Sequence, residues 1–427
     1  MLKLSKAANY IILLLLLPSI FVFLVPGKIV AISILASYPL MAILILFLPS
    51  FNQLRFEGRL YVYLFVLSNL LIIGRGIVDA ESQEDWKILF SQVIPIGIIF
   101  PLCVFLGVKN NILCIVFSSF FKYGILGASV LLLGSGLGMF GFPHNISPIY
   151  LFVIFIPYLE TKWKIITLLV VVVSFFSELG MRANMLNILM AFLISGTFFF
   201  RRFRLMLSTI RFGRLFILIA PIVFMILGLT GQFNIFKIGE LVGEYDIESE
   251  NGSKQDIAID SRTGIYLDVI LELNKQEAFI WGLGGSGKTP THLTEVEWGD
   301  FSEIYKEGRR ATESGMLNYA QWGGVVAMII YILLFAKASY LGVCKSKNWL
   351  MISIGLWVMY KGLFSFIEDR LLINVYTLFI MIPIGMCFND VLREMNDAEI
   401  RLFIRSVFKR KETKNENTKY IQNRTNG

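Results

Sequence analysis

Three side chains stand where they could act on an anionic, hydroxyl-bearing ligand: Arg182, Arg262 and Glu313. Arg182 heads an apolar run, after Ser177-Glu178-Leu179-Gly180-Met181. An arginine at that depth must snorkel or find a partner, and the first turn of a helix also points backbone N–H groups at an anion. Snorkelling to headgroups, or pairing with Glu178, is the ordinary alternative. Arg262 follows Asp260 and Ser261, either of which caps a helix over about residues 262–274. On that helix Arg262, Ile265, Tyr266, Val269 and Leu273 share one face, which predicts a helix lying against the membrane surface with a guanidinium at its head. A guanidinium suits phosphate because its fork binds two oxygens and stays charged. Glu313 follows Arg309 and Arg310 and directly precedes an apolar run. A carboxylate there can take the proton of an attacking hydroxyl, whereas an ion pair with either arginine would make it structural. His292, one of two histidines, is the competing base.

Other candidates are weaker singly. Arg75, Arg370 and Lys361 lie near the same side and would widen a cationic site. Trp281, Trp298, Tyr305, Tyr319 and Trp322 could stack on sugar rings, or equally form an interfacial aromatic belt. Gly282 to Thr289 match the phosphate-loop pattern G-x-x-x-x-G-K-T letter for letter. Pro290 falls where the phosphate-binding helix should continue, and the surrounding insert is too short for the sheet such loops need. A tight turn at Gly282, Gly284 and Gly285 is the better reading. The four cysteines show no metal-ligand spacing, and nothing in the sequence calls for a metal or cofactor.

These residues are held in a strongly apolar chain, 56% hydrophobic with mean hydropathy +0.68, which places it among all-α polytopic membrane proteins. Apolar runs long enough to cross the hydrocarbon predict about twelve transmembrane helices, near residues 9–25, 29–49, 60–78, 88–108, 120–140, 146–160, 163–179, 183–200, 215–232, 318–341, 349–367 and 371–388. The fifth could instead begin near Ile112. The organisation is then a membrane domain (1–232), one large polar loop (233–317), three further spans (318–388) and a basic tail (389–427). The loop holds 16 acidic and 8 basic residues, a net charge of −8 in a chain of net +8. Basic residues gather instead in short connectors, such as Arg201 to Arg214, and in the tail, which predicts cytoplasmic termini and an outer large loop. That distribution implies contact with membrane lipid and no nucleic-acid partner.

The layout, Arg182 at the start of a span, Ser261-Arg262, Gly282-x-Gly284-Gly285, the polar site before the next span and Gly323-Gly324 together resemble the O-antigen polymerase and ligase superfamily of bacterial envelope glycosyltransferases. The resemblance implies a GT-C-like architecture and metal-independent, inverting transfer of glycan from undecaprenyl pyrophosphate at the inner membrane. Arg182 and Arg262 would hold the pyrophosphate and Glu313 would be the base. Glu178, Arg75, Gly282, Gly284, His292, Arg309, Arg310 and Arg370 would contact substrate. A chain-length regulator and a flippase are the implied partners. Ligase-type members carry a histidine where this chain has Glu313-Ser314, which favours the polymerase branch. A lipid-linked oligosaccharide exporter is the rival reading.

Overall fold

In hydrocarbon every backbone polar group must be satisfied within the chain, so long apolar runs become helices. The computed structural model describes residues 10–16, 29–49, 55–125, 146–177, 182–229, 246–248, 254–256, 261–290, 308–368 and 373–408. Within them lie α1 (Ile29–Ile45), α2 (Arg59–Val78), α3 (Gln83–Val108), α4 (Asn110–Ser119), α5 (Ile149–Ile154), α6 (Thr161–Ser177) and α7 (Arg182–Gly196). The chain continues through α8 (Arg204–Leu229), a two-stranded antiparallel ladder of β1 (Asp246–Glu248) and β2 (Lys254–Asp256), and α9 (Ser261–Lys275). It ends in α10 (Gly315–Cys344), α11 (Trp349–Ile367), α12 (Val375–Phe388), α13 (Asp390–Glu394) and α14 (Asp397–Phe408). Among the described residues five helices are long and apolar enough to cross a membrane: α2, α3, α7 extended to Phe200, α10 and α11. The protein is membrane-embedded and essentially all-helical.

Several boundaries depart from the sequence reading for visible reasons. The run at 146–160 is not a span. Pro148 and Pro157 fall inside it, and the helix between them, α5, is six residues long, all of them buried and too few to cross a membrane. The segment Arg204 to Arg214, expected as a connector, belongs to the 26-residue α8. α3 starts at Gln83, before the predicted residue 88, because Ser82 and Asp85 form a reciprocal capping box. α12 is 14 residues long and starts at Val375, behind the Asn374 cap.

Close backbone approaches and aromatic interlock hold the bundle together. α3 and α12 meet where Gly107 faces Gly385, leaving no room for a β-carbon at either position. Phe117, Phe120, Phe152 and Phe379 form a ring cluster that joins α4, α5 and α12. Phe121 extends the cluster to Phe408 of α14, at 4.7 Å. At the opposite end of α11 from the site, Asn348 caps that helix and donates to Leu392 O and Met395 O, both at 2.8 Å.

The feature that positions the site is a reversal in α10. Gly324 has φ 66° and ψ −166°, a conformation that breaks the helix. Tyr319 and Tyr331 stack with ring centroids 4.6 Å apart, whereas an unbroken helix would separate them by about 18 Å. Met316 likewise lines one small void with Tyr331 and Ile332. α10 is therefore a hairpin, a short limb (315–323) folded back along a long limb (325–344), so that the long limb is the part that can cross where the sequence predicts a span at 318–341. The glycine loop after α9 stitches the break. Leu283 N and Gly284 N donate to Gln321 O and Trp322 O at 2.7 and 2.9 Å, while Val325 N and Val326 N donate to Phe279 O and Ile280 O at 3.0 and 3.4 Å. Non-helical backbone is thereby kept satisfied inside the protein.

Candidate functional site

The head of α9 docks where the short limb of α10 begins. Ile265, Tyr266, Val269 and Leu273 are buried, as their spacing predicts, but they pack on Met316, Leu317 and Ala320 of α10 and on Phe366 of α11. The stripe thus faces protein, not the membrane surface. The Tyr266 hydroxyl donates to Phe366 O and stands 3.2 Å from Ser314 Oγ. Ser314 caps the short limb by accepting from Leu317 N at 3.3 Å, and its hydroxyl lies 2.8 Å from Ser365 O. Thr312 and Asn318 brace the approach: Asn318 Nδ2 donates to Thr312 O at 2.9 Å, and Asn318 Oδ1 accepts from Thr312 N at 2.5 Å. Glu313 is exposed in the midst of this, lining a small pocket with Ile265, Tyr266, Ser314 and Ile367. Among the described residues it makes no ion pair, so neither Arg309 nor Arg310 claims it.

Arg262 lies one turn before Ile265 and Tyr266, so its backbone belongs to the helix end that meets Glu313. Its side chain, like that of Arg182, lies outside the described residues. Arg182 opens α7, and beneath it is a polar network inside the bundle. Asn184 Nδ2 donates to Ser174 O at 3.1 Å, and the Tyr150 hydroxyl donates to Asn184 Oδ1. One turn deeper, Asn187 Oδ1 accepts from Lys361 Nζ at 3.0 Å and from the Tyr360 hydroxyl at 3.1 Å. Lys361 is 1% exposed; its ammonium also contacts the Tyr376 hydroxyl and the face of Phe364, 4.4 Å from the ring centroid. α11 is the shared wall: Lys361 is on it, and Phe366, the anchor of Tyr266, follows about 8 Å further along its axis. Asn184, Asn187 and Tyr376 were missed in the sequence. The signal was there in two amides within an apolar run just after Arg182.

Other expected ligand contacts fall elsewhere. Arg75 lies at the far end of α9, with its Nη1 on Trp281 O at 2.5 Å and beside Glu277. It is separated from Arg262 by the length of α9, about 20 Å. Arg310 is 8% exposed and turned inward on Asp85, itself 3% exposed, with Nε to Oδ1 at 2.8 Å; Lys288 joins at 3.4 Å. Arg309 is drawn into a bridge with Thr289, N to O at 2.7 and 2.9 Å. Gly282 and Gly284 adopt positive φ, 72° and 77°, as a tight turn requires. The amides of Leu283, Gly284 and Gly285 all bond to protein carbonyls, so the phosphate-loop pattern offers no cradle for a nucleotide. Glu178, His292 and Arg370 lie outside the described residues.

The arrangement brings an exposed carboxylate, a cation-bearing helix end and a buried lysine network to the same end of α11. It can accept a proton, neutralise an anion and hold both against an apolar wall. Comparison of the chain with protein-family models, with curated proteins and with solved structures finds no match to any of them.

Proposed function

We propose that this protein is a polysaccharide polymerase of the bacterial cytoplasmic membrane. It moves a growing glycan from undecaprenyl pyrophosphate onto a lipid-linked oligosaccharide repeat unit. In this reading the chain crosses the membrane about twelve times in a GT-C-like arrangement, with both termini cytoplasmic and the loop at 233–317 outside. Arg182 and Arg262 neutralise the departing pyrophosphate, and Glu313 takes the proton of the acceptor hydroxyl as it attacks the anomeric carbon. A single displacement inverts that carbon.

The observation that carries the reading is the clasp of Tyr266 on Ser314 and Phe366. It fixes the Arg262 end of α9 beside an exposed glutamate that is unpaired among the described residues, two segments about fifty residues apart in sequence. The decisive assay supplies purified protein with lipid-linked repeat units and follows chain growth. Two observations favour an exporter of the same lipid-linked glycan, namely the buried Lys361 and the broken α10, since transporters place ions and discontinuous helices at their binding sites. Movement of the lipid across liposomes without chain growth would select that reading.

A further inference from the structure

Away from Glu313, at the other end of α9, α2 and α10 part to leave an open cleft of about 680 Å³. Leu64, Leu67, Ser68, Leu71 and Arg75 line it from α2, spaced so that all share one face of that helix. Gly323, Val326, Ala327 and Ile330 line it from α10. Small side chains at Ser68, Gly323 and Ala327 form the floor. The rims are apolar and outward-facing, with Leu67 54% and Leu71 52% exposed. Arg75 closes one end. One of its N–H groups bonds to Trp281 O, and the rest of its fork has no partner among the described residues. Glu277 stands at the same end without an ion pair to Arg75.

Length and chemistry together identify an occupant. From Leu64 to Arg75 the helix rises about 16 Å, half the roughly 30 Å hydrocarbon thickness of a bilayer. A chain lying in the cleft would therefore run through one leaflet and end at a guanidinium fork, the group that best grips a phosphate diester. The exposed Trp281 beside that fork sits where interfacial aromatics belong. We propose that this cleft seats one acyl chain of a bilayer phospholipid, with Arg75 holding its phosphate. The lipid spans the seam where residues 278–285 stitch the broken α10 to α2, and so clamps the hairpin. The proposal does not rest on the polymerase reading, because α9 keeps the cleft's charged end about 20 Å from the end that meets Glu313.

The test uses full-length protein in detergent micelles doped with phosphatidylglycerol carrying a photoreactive group in its acyl chain. Labelling is mapped to peptides covering 64–75 and 323–330. The expected result is labelling there that unlabelled phosphatidylglycerol competes away and diacylglycerol, which has the acyl chains but no phosphate, does not. Arg75→Ala should reduce it about tenfold, the effect of losing one charge-assisted contact, while Arg75→Lys retains part of it. Ala327→Leu, which fills the floor and leaves Arg75 in place, should abolish tail labelling with the protein still monodisperse. Equal competition by diacylglycerol, or labelling indifferent to both substitutions, would overturn the proposal. So would labelling by a photoreactive polyprenyl phosphate alone, which would assign the cleft to a carrier lipid instead.

Discussion

At the scale of single residues, Glu313 and Arg310 are neighbours in sequence with opposite fates. Arg310 is held inward by Asp85, and Trp322 Nε1 donates to its carbonyl at 2.9 Å. Glu313 is left exposed, and unpaired among the described residues. Arg310→Ala takes the nearer cation from a buried carboxylate that keeps Lys288 and the backbone N–H groups of Glu81 and Ser82, so it should lower stability by about 2 kcal/mol, the worth of a charge-assisted hydrogen bond; thermal unfolding in detergent measures this, and an unchanged midpoint would show the ion pair to be dispensable. Glu313→Gln should leave the unfolding midpoint in place and reduce chain elongation at least about 100-fold, the usual contribution of a general base. A variant with full rate would move that role to His292.

Among the elements, the hairpin in α10 does most to place the site. Gly324 cannot take a side chain: its φ is positive and a β-carbon would strike Ile280 O. Gly324→Ala should therefore loosen the stitch and lower the unfolding midpoint. Spin labels replacing the exposed Ile329 and Leu333 would report only the long limb, so the distance to read is between positions 319 and 331. Labels there should lie within about 10 Å of each other across the reversal, whereas a straight helix would hold them near 18 Å. The boundaries of α2, α7 and α11 were legible because polar residues punctuate their apolar runs: Arg59 and Asp79 at α2, Arg182 at α7, Asn348 and Glu368 at α11. The reversal was not legible. Gly323-Gly324 entered the sequence reading only as part of a family resemblance, and the carbonyls that complete the broken helix come from Phe279 and Ile280, some 45 residues earlier. The stripe on α9 was legible as a face, but its partner was misjudged, because an apolar stripe looks the same whether it meets lipid or Met316 and Leu317.

Across the whole molecule, charge is distributed asymmetrically and a few polar groups are buried among the helices. The loop at 233–317 is acidic while the rest of the chain is basic, so the loop is expected outside the cell membrane and the tail inside. In a cysteine-free background, Ser253→Cys should react with a membrane-impermeant maleimide on intact cells and Thr418→Cys should not; the reverse pattern would invert the topology. The polar network of Asn187, Lys361 and Tyr376 was only half legible, since Lys361 stood out as a charge in a span but its partners come from two other helices, α7 and α12. The most direct measurement is chain growth from purified lipid-linked repeat units by wild type, Arg182→Ala and Arg262→Ala. Wild type should give a ladder of polymers and either variant only the starting unit. A wild type that makes no ladder, or variants that match it, would contradict the claim that guanidinium groups at the heads of α7 and α9 hold a departing diphosphate.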